Sequence, residues 1–342
     1  GGSRAIHISD LTLQGGNNGL HLDPVGTGTI YSDTLQPVIS GYDAKTGLPN
    51  YARAQYVGCF INHVTFRNMA NAGIHFDKIY AIDNNIFSYL NFVSCGTGIL
   101  QTADSNYNSG DAGGDPYAAR MMYIDKVLFY RCQFVNGAPM GTGTTGLAMD
   151  LINKRGSNLN AWVNCLFKNN TGGVANMIAW INPSFSNCDF VNNGANSNGA
   201  ALSNNGIITL LSCDFNTPDS GTAPATSIVS GSVTADGCLF ASQAATSVVK
   251  SSTVKVYFHN CMSAIPLWSA ATNINGGVFT NNSFAQNTAL NVMAASVVGT
   301  TQTTLVPTAS AATPQQQILW GSNWTTGGGT YGNAPLLLPA RY

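Results

Sequence analysis

A three-residue unit, an apolar residue or Cys, then any residue, then usually Phe, returns again and again along this chain. An internal repeat of this kind limits the possible folds more than any other sequence feature. It runs Leu11-Thr12-Leu13, Val64-Thr65-Phe66, Leu90-Asn91-Phe92, Cys132-Gln133-Phe134, Cys165-Leu166-Phe167, Cys188-Asp189-Phe190, Cys213-Asp214-Phe215, Cys238-Leu239-Phe240, Cys261-Met262-Ser263 and Asn282-Ser283-Phe284. From Phe167 onward the third residues follow one another at intervals of 23, 25, 25, 23 and 21. Helical repeats are longer, about 33 to 47 residues. Alternating side chains of a strand point to opposite faces, so the Cys and Phe of each unit face one way. The spacing therefore predicts a parallel β-helix of about ten coils over residues 1–290, with Cys and Phe inside.

Composition agrees. The chain has 37 Gly, 15 acidic residues that are all Asp, and only 8% charged residues. Glu and Lys favour helices, whereas Asn, Ser, Thr and Gly serve corners and strand surfaces, so an all-β chain is expected. A net charge of -1 is too small for the field that nucleic-acid or anionic-membrane binding needs. No apolar run reaches the roughly 18 to 20 residues of a membrane span. The sequence opens Gly1-Gly2-Ser3-Arg4 without Met, as a processed chain or a fragment of a larger parent chain would. Strand-forming residues begin at once with Ala5-Ile6-His7-Ile8, so upstream residues or a partner are expected to cover the open strand edge.

Cys132, Cys165, Cys188, Cys213, Cys238 and Cys261 fall at one point of six consecutive coils, while Cys59 and Cys95 do not. A metal site or disulfide framework is the functional reading, and a column of small buried hydrophobes the plainer one. With no Cys-x-x-Cys pair and no neighbouring His, the ladder reads as core.

A second register follows the first. Gly19-Leu20-His21-Leu22-Asp23, Gly73-Ile74-His75-Phe76-Asp77, Gly98-Ile99-Leu100-Gln101-Thr102 and Gly146-Leu147-Ala148-Met149-Asp150 align as a further strand of coils one to four. This alignment puts Asp23, Asp77, Thr102 and Asp150 in one column and His21 and His75 two residues earlier. Such coils resemble the pectate-lyase-like superfamily of right-handed parallel β-helix proteins, which includes polysaccharide lyases, glycoside hydrolases, epimerases and phage tailspikes. The resemblance covers roughly residues 5–290 and implies an extracellular or cell-surface protein that acts on polysaccharide. No family motif carries over. There is no adjacent Asp pair, no Gly-His-Gly, no Arg-Ile-Lys, and the nearest string to Asp-Pro-His is Asp115-Pro116-Tyr117.

Chemistry is expected in the first four coils. Eleven of 14 Lys and Arg, 11 of 15 Asp and four of five His precede residue 169, and the long insertions, 24–56, 103–122 and 151–160, lie there too. Function in a solenoid gathers where coil loops lengthen. With strands about 4.8 Å apart, Asp77 and Asp150 would sit about 9.6 Å from each other. That is the upper edge of the roughly 6.5 to 9.5 Å of an inverting glycosidase, with Asp23, Asp77 and Asp150 as the catalytic carboxylates. The same column could hold Ca²⁺, with Lys78, Lys154 or Arg155 removing the proton beside a uronate carboxylate. His21, His75 and Tyr117 complete the candidate substrate-binding set. The plainer reading is that Asp caps each corner through its own backbone and that the His residues are ordinary outward strand positions. Two other functions stay open: a structural surface layer, fibre or tailspike shaft that packs its bland faces against copies of itself, and an adhesin that holds glycans without cleaving them. Residues 291–342 break the rhythm and are expected to form a loop-rich tail on the last coil or a partner.

Overall fold

The computed structural model describes residues 3–4, 6–22, 39–42, 49–51, 55–77, 81–102, 123–141, 143–157, 159–180, 182–216, 227–240, 247–250, 254–263, 274–280 and 283–284. Among them there is no helix. The strands form an all-β parallel solenoid in which 24 of them share one hydrogen-bonded system. Each coil pairs in register with the next. Leu13 pairs with Phe66, Phe66 with Phe92, Phe92 with Phe134, and the column continues through Phe167, Phe190, Phe215, Phe240, Ser263 and Phe284. All ten repeat units read from the sequence therefore lie on one strand column.

The middle of the ladder is a stack of rings. Phe66, Phe92, Phe134, Phe167, Phe190 and Phe215 are buried, and successive centroids lie 5.0, 4.6, 5.0, 5.0 and 4.2 Å apart. A second column, Phe87, Phe129, Trp162 and Phe185, runs beside it with centroids 5.1, 5.1 and 4.7 Å apart, the first pair tilted and the other two stacked. The strand step of about 4.8 Å is itself an aromatic stacking distance, so one ring per coil fills the core without adjustment.

The six-cysteine ladder is interior as expected, and all eight cysteines are free and buried. Each ladder thiol lies within donating distance of two carbonyls, one two residues earlier and one on the preceding coil: Cys188 Sγ reaches Ser186 O at 3.4 Å and Trp162 O at 3.3 Å, and Cys213 Sγ reaches Leu211 O at 3.5 Å and Phe185 O at 3.4 Å. A Cys suits this column because it is small and apolar yet carries a weak donor for the corner carbonyls.

Corners recur about every five residues and are made by non-glycine residues in the left-handed region. One column holds Asp10, His63, Tyr89, Arg131, Asn164, Asn187, Ser212 and Asn260 at φ 51–56°, and another Asn68, Ser94, Asn136, Asn169 and Asn192 at φ 52–57°. Asn is favoured there because its short amide tolerates the left-handed conformation. The cost is offset by amide ladders: Asn169 Nδ2 donates to Asn136 Oδ1 at 3.0 Å and Asn192 Nδ2 to Asn169 Oδ1 at 2.9 Å. Inside the same corner, buried Asn170 donates to Phe134 O at 3.0 Å and Asn193 Oδ1 at 2.9 Å, and its Oδ1 accepts from Gly137 N at 3.1 Å.

The third strand of the first coils is Asn18–Leu22, Ala72–Asp77, Thr97–Thr102 and Met149–Ser157. Gly19, Gly73 and Gly98 open it for steric reasons. A Cβ on Gly73 would lie 2.4 Å from the Phe92 ring, and one on Gly19 2.4 Å from Phe66, so the aromatic ladder leans on this column. In coil four the register differs from the sequence alignment. Ile99 pairs with Met149 and Leu100 with Asp150, which puts Ala148, not Gly146, in the glycine column. Gly146 is a turn residue at φ 74° that ends the loop after Gly137. The strand Met149–Ser157 runs into insertion 151–160, and its register against Ala175–Trp180 shifts between Ile152 and Ser157, where the chain takes up extra residues. Insertion 24–56 contains a small antiparallel pair, Ile39–Tyr42 with Pro49–Tyr51. Insertion 103–122 and the tail 291–342 lie outside the described residues.

Candidate functional site

The outward positions of the third strand form a polar stripe along the coil axis. One column reads His21, His75, Leu100, Asp150, Asn176, Ser203 and Ser230. The column two residues further on contains Asp77 paired with Thr102. Strand geometry keeps both columns on the same face because side chains repeat every second residue.

His21, His75, Asp77 and Thr102 form one connected cluster. The two imidazoles stack with centroids 4.8 Å apart and planes 6° from parallel, as their register one coil apart requires. Thr102 Oγ1 donates to Asp77 Oδ1 at 2.6 Å, and the other carboxylate oxygen, Oδ2, lies 3.4 Å from His21 Nε2. Since the threonine proton is committed to the carboxylate, the 3.1 Å contact between His75 Nε2 and Thr102 Oγ1 has the imidazole as donor. The site is graded in exposure: the His21 side chain is 42% exposed, Asp77 23%, and His75 as a residue 8%.

Asp150 does not join this cluster. It pairs with Leu100, in the histidine column, and its Oδ1 accepts from Asn176 Nδ2 at 3.0 Å. Two coils and two residues separate it from Asp77, a Cα distance of about 12 Å against the 9.6 Å expected from the sequence alignment. Burial pushes the Asp150 carboxyl above the ordinary carboxylate range, opposed by the Asn176 hydrogen bond. A polar chain continues from it, with Ser203 Oγ donating to Asn176 Oδ1 at 3.2 Å and Asn196 Nδ2 to Ser203 Oγ at 3.1 Å. Of the other expected site residues, Asp23, Lys78 and Tyr117 lie outside the described residues. Lys154 and Arg155 sit in Met149–Ser157, with their side chains outside the described set.

A second polar feature was not anticipated from the sequence. At the corner column, His63 stacks on Tyr89 at 4.6 Å, Arg131 Nη1 donates to Tyr89 Oη at 3.5 Å, and the guanidinium lies 5.3 Å from the Tyr130 ring centre. Its signal was present: the residue before the first buried position of each repeat unit is Asn in coils five and six, and Asp10, His63, Tyr89 and Arg131 depart from it.

No helix among the described residues is long and apolar enough to cross a membrane. Comparison with protein-family models, curated proteins and solved structures finds no match to this chain.

Proposed function

We propose that this chain is an extracellular carbohydrate-active β-helix protein of the pectate-lyase-like kind, one that holds an extended polysaccharide along coils one to six and cleaves it beside Asp77. The observation that supports this is the axial stripe His21, His75, Asp77, Thr102, Asp150, Asn176 and Ser203. It sets hydrogen-bonding side chains on a single face at the step of the coils, about 4.8 Å, with His21 the most exposed, Asp77 part-exposed, and His75 and Ser203 buried. A linear polymer of sugar rings presents hydroxyls at a comparable repeat. The sequence insertions after Leu22 and Thr102 depart from the ends of these same strands, next to the stripe.

Of the two cleavage chemistries, elimination fits better than hydrolysis by a carboxylate pair. The two-coil, two-residue offset, about 12 Å between their Cα atoms, takes Asp77 and Asp150 out of the shared column expected for a carboxylate pair acting on one bond. An elimination asks for one base within reach of the proton beside a uronate carboxylate, and Asp77 with His21 and His75 gathers candidate bases at one point. The base removes the proton beside the carboxylate, the C–O bond to the leaving sugar breaks with its electron pair passing to the leaving oxygen, which takes a proton from solvent, and a C=C double bond remains.

The test is a screen of uronic and neutral polysaccharides, read by absorbance near 235 nm and by reducing ends, on wild type, Asp77→Ala and Tyr89→Ala. A new 235 nm chromophore lost in Asp77→Ala and kept in Tyr89→Ala is the expected result. Reducing ends without that chromophore would replace elimination by hydrolysis. Binding without either signal makes the protein an adhesin. Silence on every substrate, with self-association at rising concentration, would favour the structural fibre reading.

A further inference from the structure

We propose that His21, His75 and Asp77 form a binding site for a transition-metal dication of the Zn²⁺ or Ni²⁺ class. The inference concerns the metal alone and stands whether or not the glycan reading does. Three features carry it. First, one ligand atom from each of the three residues lies within 4.8 Å of the others, and the closest pair, His21 Nε2 and Asp77 Oδ2, is at 3.4 Å. Ligands at 2.0–2.2 Å from a common Zn²⁺ sit roughly 3.3 Å from one another in a tetrahedron. The His21–Asp77 edge already has nearly that length; closing the site turns the imidazoles out of their parallel stack and releases His75 Nε2 from Thr102 Oγ1.

Second, the cluster is organised around its third donor. Thr102 takes up Asp77 Oδ1 at 2.6 Å and so fixes the carboxylate with Oδ2 turned to the histidines. An outer hydrogen bond that orients a ligating carboxylate is a recurrent feature of metal sites. The backbone holds the two histidines one coil apart in strict register, which makes the ligand spacing a property of the solenoid rather than of a loop.

Third, the donor chemistry selects the ion. Two imidazole nitrogens and one carboxylate suit Zn²⁺, Ni²⁺, Cu²⁺ or Fe²⁺. Ca²⁺ requires six to eight oxygens, and among the described residues this cluster supplies oxygen only from Asp77 and Thr102. Among the described residues, the Ca²⁺ that the sequence allowed as an alternative is therefore the poorer occupant of this cluster. With three protein ligands and an exposed His21, the remaining coordination positions would face solvent, in the stripe where a ligand oxygen could reach the ion.

The experiment is calorimetric titration of the tag-free, chelator-treated protein with ZnCl₂, NiCl₂ and CaCl₂, without any glycan. Saturable binding of one Zn²⁺ or Ni²⁺ per chain is expected, with at least a tenfold weaker response to Ca²⁺. His21→Ala is the main variant because that side chain is the most exposed of the three, and it should abolish the binding. His75→Ala should do the same if its circular dichroism stays native. Thr102→Val should weaken binding by about tenfold while leaving one site. His7→Gln, away from the cluster, should bind as wild type. No saturable binding of either metal, unchanged binding in His21→Ala, or Ca²⁺ binding as tight as Zn²⁺ would each overturn the proposal.

Discussion

Phe167 gives the sharpest test of the core. It is fully buried between Phe134 and Phe190, with both ring centroids 5.0 Å away and both planes 7° from parallel. Phe167→Ala removes the ring from a ladder whose neighbours are held by strand register and cannot close over the gap, so the cost belongs in the upper part of the usual range, about 4 kcal/mol. That is about a thousandfold in the unfolding equilibrium. Ladder geometry adds a second, more discriminating expectation. A double-mutant cycle of Phe134→Leu with Phe167→Leu should show a coupling of about 0.5 to 1.5 kcal/mol, because the rings stack directly. Phe134→Leu with Phe190→Leu, two rungs and about 10 Å apart, should be additive to within about 0.5 kcal/mol. Equilibrium urea unfolding followed by circular dichroism reads both. A cost below about 1 kcal/mol for Phe167→Ala, or equal coupling for adjacent and separated pairs, would refute the nearest-neighbour picture of the core.

Other substitutions probe the corners, the site and the thiols. Asn170→Ala leaves Phe134 O, Gly137 N and Asn193 Oδ1 each short of a buried partner, and should lower stability by about 3 kcal/mol in the same urea assay; a loss under about 1 kcal/mol would show the amide ladder to be replaceable by water. Asp150→Asn should raise the melting temperature near neutral pH. The folded carboxyl holds its proton to higher pH than the unfolded one, so ionisation costs stability as pH rises through that interval, and the gain should vanish in acid where both states are protonated. A melting temperature unchanged at all pH would contradict it. Burial pushes the Cys95 thiol up, and the Cys165 thiol is raised by the neighbouring Cys132 sulfur and then by burial. All eight thiols are buried, so the folded protein should be inert to Ellman's reagent near pH 8, with eight thiols reacting once urea is added; prompt labelling of the folded chain would place a thiol outside the core.

Much of the architecture could be read from residues because a parallel coil repeats its side-chain pattern at each step. The Cys-x-Phe spacing located the ladder, and the interior placement of Cys132 through Cys261 followed from alternation alone. The third strand was harder. Gly146 matched Gly98 as a letter, but a glycine can serve either a close ring contact or a left-handed turn, and Gly98 does the first while Gly146 does the second. Two residues of register were lost there, which moved Asp150 out of the Asp77 column. The His21–Asp77–Thr102 contacts cross between columns, so one-column alignment did not show them together. The stacked His63–Tyr89 pair is hidden for a simpler reason: corner positions carry no apolar alternation to align, although the repeat puts one side chain per coil on a common ridge.

The left-handed asparagine corners have a consequence for how such a chain can change length. At the Asn136, Asn169 and Asn192 corners the backbone N–H donates to a carbonyl of the next coil, and the side-chain amides pass one bond from coil to coil. Removing one whole coil between two such corners would therefore leave identical surfaces to rejoin. Duplication and loss of coils by recombination within the gene are then conservative events, and the length of the rod becomes a quantity that selection can adjust in steps of one turn.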